Sequence, residues 1–337
     1  MKKVDPTFRD KIVDLITANG LSISEFALEK DFIVTDVLRA ISKIRHDKFD
    51  FVFCGGTCLS KAYGLLERIS EDVDIKVVPK AGVELSQNQQ RIAIRALKAD
   101  IKAALVEVGF DATHIAVSAR DGNSYVVFDA EYSTHFNLTP AMRGNMKLEL
   151  NLTALNLPSS KREMGLLFNQ FAGLVDNNKI EMPCIDIREA LAEKLVAFPR
   201  HLALHLTNPE KHKFDQALVR HLFDVHQIIV NNPNIDDPAI LMPLIARVMD
   251  KDAKDFARQF PKFLFDPVGQ LTGAMRVAAT SPAYSAMYSE FVRVMVYGTN
   301  SPSFVDALTS FRQVLVSSLP PPTMNYKQYE AAEVLAP

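Results

Sequence analysis

The feature that most constrains this chain is a pair of glycines between two apolar strands, the second of which opens on Asp-x-Asp. Residues 51–54 read Phe-Val-Phe-Cys, residues 55–61 Gly-Gly-Thr-Cys-Leu-Ser-Lys, and residues 72–78 Asp-Val-Asp-Ile-Lys-Val-Val. The pattern predicts a strand over 51–54, a helix over 57–66 and a strand over 73–78. Side chains at i and i+2 of a strand share a face, so Asp72 and Asp74 are expected to project together. Carboxylates that close repel unless a cation stands between them.

Mg²⁺ fits such a pair, because it takes hard oxygen ligands and keeps positions open for substrate phosphates. Two ions about 3.5–4 Å apart can activate an attacking oxygen and stabilise a leaving pyrophosphate. A third carboxylate is then expected from a neighbouring strand. Glu149, in Lys147-Leu148-Glu149-Leu150, is the first choice, with Lys147 on its face; Asp129 and Glu131 are rivals. Gly55 and Gly56 leave the backbone open to a phosphate. The helix near Thr57 turns unpaired N–H groups and its positive end the same way. Thr57 and Ser60 add hydroxyls, and Lys61 adds charge. These residue types point to an enzyme that moves a nucleotide, using a nucleoside triphosphate with Mg²⁺ or Mn²⁺. Taken singly, Gly-Gly reads as a turn and Asp-x-Asp as a solvated strand end; their joint order carries the expectation. Arg68 and Glu71 also read as a surface pair.

The 337 residues suffice for one large domain or two ordinary ones, and 48% hydrophobic content can fill their cores. A net charge of −2 excludes a bulk polycation, so a nucleic-acid site has to be a local basic patch. Three cysteines, no apolar signal core after Met1-Lys2-Lys3 and no membrane-length apolar run lead to the expectation of a cytoplasmic protein without a membrane partner. Cys54 and Cys58 read as small buried residues.

Residues 6–46 have helical spacing, and 86–109 form a polar-faced helix. Strands are expected over 114–119, 125–132 and 146–153, with turn chemistry at Asp121-Gly122-Asn123. Ser160-Lys161-Arg162-Glu163 and Asp186-Ile187-Arg188-Glu189 both have the form of capping boxes. From Asp186 onward the chain reads as helical. The expected organisation is an α+β domain with a mixed sheet and N-terminal helices over 1–180, a helical domain over 181–320 packed on it across a cleft, and a proline-bearing tail over 321–337. In the helical half, Lys194 lies on an apolar stripe. It reads either as snorkelling to solvent or as held by a partner or anion. Arg220, His221 and Asp224 share one helix side, as a surface ion pair or as something more. Residues 200–226 are basic, either to hold RNA phosphates or as a solvated connection. His201 and His205 lack the glutamate of a zincin motif.

Gly-Gly-Thr-x-Leu-Ser-Lys-x-Tyr at 55–63, with Arg68-x-Ser70-Glu71-Asp72-x-Asp74, resembles the AbiEii/AbiGii toxin family of nucleotidyltransferases, within the DNA polymerase β-like superfamily. Glu29-Lys30-Asp31, Lys147-x-Glu149, Glu193-Lys194-Leu195, Arg220-His221-x-x-Asp224 and the run from Tyr284 to Phe304 also resemble family segments. Many members have Arg-Asp where this chain has Arg220-His221, and the interval from Lys194 to Asp224 is longer than in compact members. The resemblance implies a polymerase β-like nucleotidyltransferase fold and a toxin of a toxin–antitoxin or phage-defence pair, with an antitoxin partner. It implies Asp72, Asp74 and Glu149 as metal ligands, Lys194 near the triphosphate and Asp224 as a further acid. It implies transfer of a nucleotide to an acceptor hydroxyl, foremost the tRNA 3′ end. Modification of a protein or small molecule, and a non-catalytic nucleotide-binding scaffold, are the alternatives.

Overall fold

The computed structural model describes residues 1–139 and 142–321, so all of the expected tail except Pro321 lies outside the described residues. Strand β1 (Lys2–Lys3) precedes helices α1 (Pro6–Asn19) and α2 (Glu25–Lys43). Then come β2 (Phe49–Cys54), α3 (Gly55–Lys61), β3 (Asp72–Pro79), α4 (Gln87–Glu107), β4 (Ile115–Arg120), β5 (Tyr125–Ser133), β6 (Asn145–Leu152), β7 (Ser160–Met164), α5 (Leu167–Phe171) and β8 (Ile180–Cys184). The rest is helical: α6 (Ile187–Thr207), α7 (Arg220–Asn231), α8 (Pro238–Asp255), α9 (Pro261–Phe265), α10 (Pro267–Thr280), α11 (Pro282–Met295) and α12 (Phe304–Ser318). The chain divides into two compact units. One is Met1–Asp186 with Val294–Thr299, and the other is Ile187–Arg293 with the chain from Asn300 onward.

The first unit is built on a mixed sheet in the order β1-β5-β6-β3-β2-β8-β7, with β4 beside β5. Strand β3 runs antiparallel to β2 and parallel to β6. Val73, Ile75 and Val77 alternate with Asp72, Asp74 and Lys76, and the apolar set is at most 1% exposed. Helix α2 packs against β3 and β8, and α4 packs against α2.

The helical run expected over 6–46 is two helices. Gly20 ends α1 in the left-handed region at φ 56°, and the Ser24 side chain accepts from Ala27 N to start α2. The capping box expected at Ser160 is instead strand β7, paired antiparallel with β8. That segment is an edge strand exposed at four of its five positions. Without an apolar face, its polar string shows no period-two signal in the sequence. Helix α3 spans Gly55–Lys61 rather than 57–66.

In the helical unit, α6 packs against α7, α8 and α10, and α12 packs on α7 and α8. Phe198 meets Phe214 and Phe311 edge-on at ring distances of 6.1 and 5.7 Å. Arg200 donates to Asp252 Oδ2 at 2.6 Å and lies over the Phe256 ring at 3.9 Å, tying α6 to α8. Among the described residues no helix is long and apolar enough to cross a membrane.

Burial, helped by the neighbouring Arg200 charge, lowers the His201 imidazole from 6.5 to about 4. The folded protein therefore keeps His201 neutral at pH values where the unfolded chain already binds its proton, so stability falls as pH drops from 6.5 towards 4. Between pH 7 and pH 5 the loss through this group is about 2 kcal/mol. Urea titrations at the two pH values should show it in the wild type, and His201→Leu should lack it.

Candidate active site

Strand β3 places Asp72 and Asp74 on one face, and its parallel register with β6 sets Lys147 beside Asp72 and Glu149 beside Asp74. Asp129 on β5 lies beside Lys147 in turn. One sheet face thus carries Asp72, Asp74, Glu149, Lys147 and Asp129, and the expected third carboxylate is next to the second. Of the rivals, Asp129 accepts from Asn145 Nδ2, and Glu131 lies 4.0 Å from the His114 ring.

Each end of this carboxylate row meets a cation. Arg143 Nη1 donates to both oxygens of Asp72, at 2.9 and 3.0 Å. Lys147 Nζ pairs with Glu149 Oε1, and the Tyr125 hydroxyl donates to Glu149 Oε2. Burial and that bond to Glu149 push the Tyr125 phenol up. The donor set, carboxylate oxygens alone, suits a hard divalent cation such as Mg²⁺ or Mn²⁺. Among the described residues, however, no three His, Cys, Asp or Glu side chains converge as a ligand set. Asp72 is drawn to Arg143 and Glu149 to Lys147. A metal chelated by both oxygens of Asp72 or of Glu149 requires these ion pairs to yield.

The glycine pair has a specific packing role. Gly55 sits at φ 74°, where a side chain is strained, and a Cβ there would run into the Asp74 carboxylate. A Cβ on Gly56 would run into the Arg68 guanidinium. The space above both glycines is therefore filled by the charged groups of their own motif. Gly55→Ala should cost about 1–2 kcal/mol of stability through backbone strain alone. It should also push the Asp74 carboxylate aside. A thermal melt checks the loss of stability.

The remaining motif residues tie the loop 62–71 into place. Thr57 Oγ1 donates to Asp72 O and lies 2.7 Å from Ser70 Oγ. Ser60 Oγ donates to the carbonyls of Leu66 and Arg68 at 3.1 and 3.2 Å. Lys61 Nζ pairs with Asp31 at 2.5 Å, and Asp31 also accepts from Leu167 N. Arg68 is 1% exposed and Glu71 4%, so the surface pair also entertained for them is incorrect. Arg68 Nη1 donates to Ile69 O, and Glu71 accepts from Arg143 N at 2.7 Å. Beside this loop lies a cavity of about 350 Å³ bordered by Thr57, Ser60, Lys61, Arg68 and Ser70. The segment Val294–Thr299 belongs to this unit as well: Val296 bridges Arg68, and the backbone N–H groups of Tyr297 and Gly298 donate to Glu67 O.

Helix α2 supplies residues that local pattern alone does not mark as functional. Glu29 and Lys30 are fully buried, and Asp31 is 8% exposed. Glu29 accepts from the Thr134 hydroxyl and His135 N, while Lys30 Nζ donates to the carbonyls of Arg143 and Asn145. Burial lowers the Lys30 amine to about 8, although Glu71 and Asp72 favour its charge. Three adjacent charges inside a helix otherwise lined by Phe26, Ala27, Ile33 and Val34 are the signal in the sequence. Buried charges need partners: Glu29 and Lys30 both hold the connection between β5 and β6, and Asp31 holds the end of α3 and the start of α5.

In the helical unit, Lys194 Nζ donates to Asp224 Oδ2 at 2.8 Å, with Asp224 fully buried. Lys194 therefore has a carboxylate partner rather than a route to solvent. Lys211 and Lys213 of the basic stretch are exposed between α6 and α7. His205 Nδ1 lies 2.8 Å from His212 O. The three cysteines are free and buried.

Comparison with known proteins bears on the family and the fold. The family described as nucleotidyl transferase AbiEii toxin, type IV toxin–antitoxin system, matches residues 36–310. No curated protein matches significantly. Among solved structures, MenT4, a nucleotidyltransferase toxin from Mycobacterium tuberculosis H37Rv, is similar in fold. Its TM-score is 0.50 at 16% identity, over 93% of this chain and 99% of that one. With the family matched over most of its length, the chain belongs to the AbiEii nucleotidyltransferase toxins of type IV toxin–antitoxin systems.

Proposed function

We propose that this toxin transfers a nucleoside monophosphate from a nucleoside triphosphate to a hydroxyl at the 3′ end of tRNA, on the face formed by β3 and β6. The observation that supports this reading best is the register that sets Asp74 beside Glu149, with Asp72 on the same face. The cavity bordered by Ser60, Lys61 and Ser70 is also lined by Asp31 and Asp176, so a polyphosphate entering it would have to draw Lys61 from its pair with Asp31. Divalent metal held by Asp72, Asp74 and Glu149 would supply positive charge to the phosphates and the attacking oxygen. The acceptor oxygen forms a bond to the α-phosphorus, the bond from that phosphorus to the bridging oxygen breaks, and pyrophosphate leaves. Asp74 or Glu149 takes the hydroxyl proton. The Tyr125 hydroxyl, donating to Glu149 Oε2, helps fix the direction in which Glu149 points. Lys194 and Asp224 hold α6 to α7, and no chemical step is assigned to them.

The family name implies an antitoxin partner. Exposed Lys211 and Lys213 are candidates for contacting RNA phosphates. Incubation with Mg²⁺, total tRNA and each nucleoside triphosphate, labelled at the α- or the γ-phosphate, tests the reading. Label on tRNA from the α-position alone is the expected result. Label on protein in lysate, with none on RNA, would replace the tRNA acceptor with a protein one.

A further inference from the structure

We infer that Arg143 is an exchangeable counter-ion: it neutralises Asp72 until metal and nucleotide arrive, and then moves to the triphosphate. The inference rests on the reading of Asp72 and Asp74 as metal ligands and deepens it.

Four observations carry it. Arg143 Nη1 contacts both Asp72 oxygens at 2.9 and 3.0 Å, so a cation chelated by both oxygens of that carboxylate has to displace the guanidinium. The Arg143 side chain is nevertheless 38% exposed, against 9% for Asp72, so it has an open side towards which it can move. Its backbone, by contrast, is held on both sides. Glu71 Oε2 takes its N–H at 2.7 Å, and the buried Lys30 Nζ donates to its carbonyl at 3.1 Å. The pivot is fixed, and the side chain beyond it is the exposed part. Finally, the local charges are near balance: Glu71, Asp72, Asp74, Asp129 and Glu149 lie among Lys30, Lys76, Arg143 and Lys147.

A divalent cation entering this balanced cluster adds two positive charges, and the nucleotide brings a compensating polyanion. A planar guanidinium leaving a carboxylate finds in a phosphate the other oxyanion it binds best. Arg143 therefore weakens metal binding in the absence of nucleotide and strengthens nucleotide binding in the presence of metal. These two effects make the ligands cooperative.

The test is Mn²⁺ binding by electron paramagnetic resonance on the full chain, with and without a non-hydrolysable nucleoside triphosphate analogue. Without nucleotide, Arg143→Gln should bind Mn²⁺ roughly tenfold more tightly than the wild type, the scale of one lost charged hydrogen-bond contact. The analogue should tighten Mn²⁺ binding in the wild type and do so much less in Arg143→Gln, a change in coupling that a merely structural role would not produce. Arg143→Lys keeps the charge without the fork and should fall between the two; it serves if the glutamine variant does not fold. Unchanged or weaker Mn²⁺ binding in Arg143→Gln, with the wild type binding measurably, overturns the counter-ion role alone. If neither protein binds Mn²⁺ with or without the analogue, the metal-ligand reading fails, and the inference fails with it.

Discussion

Asp74→Asn should lower nucleotidyl transfer about a thousandfold, the scale expected when a preorganised charge is removed from the reacting centre. The asparagine keeps the shape that lies against Gly55 but takes a charged oxygen donor from the middle of the row. Asp74 is flanked by Asp72 two residues earlier on β3 and by Glu149 on β6. The substitution keeps the side-chain volume and changes no apolar contact, so the fold should persist. A parallel melt should show a cooperative transition for the variant while its transfer rate collapses. Asp72→Asn should lose activity similarly, but it also releases Arg143.

The second large effect is on stability and lies in the helical unit. Lys194→Met leaves a fully buried carboxylate at Asp224 without its 2.8 Å partner. Asp224→Leu leaves the ammonium, on a side chain only 9% exposed, in the same position. Each single change should destabilise by about 3–5 kcal/mol, because removing one partner of a buried ion pair costs far more than the pair itself contributes. The double variant should lose much less than the sum, since it replaces the pair with apolar volume. Urea titration of the four proteins closes the cycle. Additive losses would mean that Lys194 and Asp224 act independently. This prediction bears on how such residues are read: loss of activity in Lys194 or Asp224 variants is not by itself a sign of chemistry, and fold has to be measured beside it.

What the sequence made legible was local and periodic. Phe51–Phe53 before the glycines and Asp72-x-Asp74-x-Lys76 after them announce two strands and a shared carboxylate face. Lys147-x-Glu149 announces the strand that pairs with them. Alternation of period two encodes the face directly, so Lys147 and Glu149 share one side of their strand. The hidden parts depend on long sequence separations. Arg143 contacts Asp72 across 71 residues, and Lys30 reaches Asn145 across 115. Neither has a repeating neighbour that marks it. Lys61 reads as a phosphate ligand because it follows the glycines, yet in the structure its ammonium pairs with Asp31, 30 residues upstream. The return of Val294–Thr299 to the first unit is likewise a backbone pairing, through Val296 and Arg68, that side-chain pattern does not encode. Strand β7 escaped notice for the opposite reason: Ser-Lys-Arg-Glu satisfies a capping rule locally, and only its pairing with β8 makes it a strand.

The most direct test of the account compares wild type, Asp74→Asn and Asp72→Asn for transfer of α-labelled nucleotide to tRNA in Mg²⁺, with melting curves on the same samples. The account predicts label on RNA with the wild type, none above background with either variant, and cooperative melts for wild type and Asp74→Asn. Transfer by Asp74→Asn at close to the wild-type rate would contradict it, because the carboxylate row on β3 and β6 would then not be where the chemistry occurs.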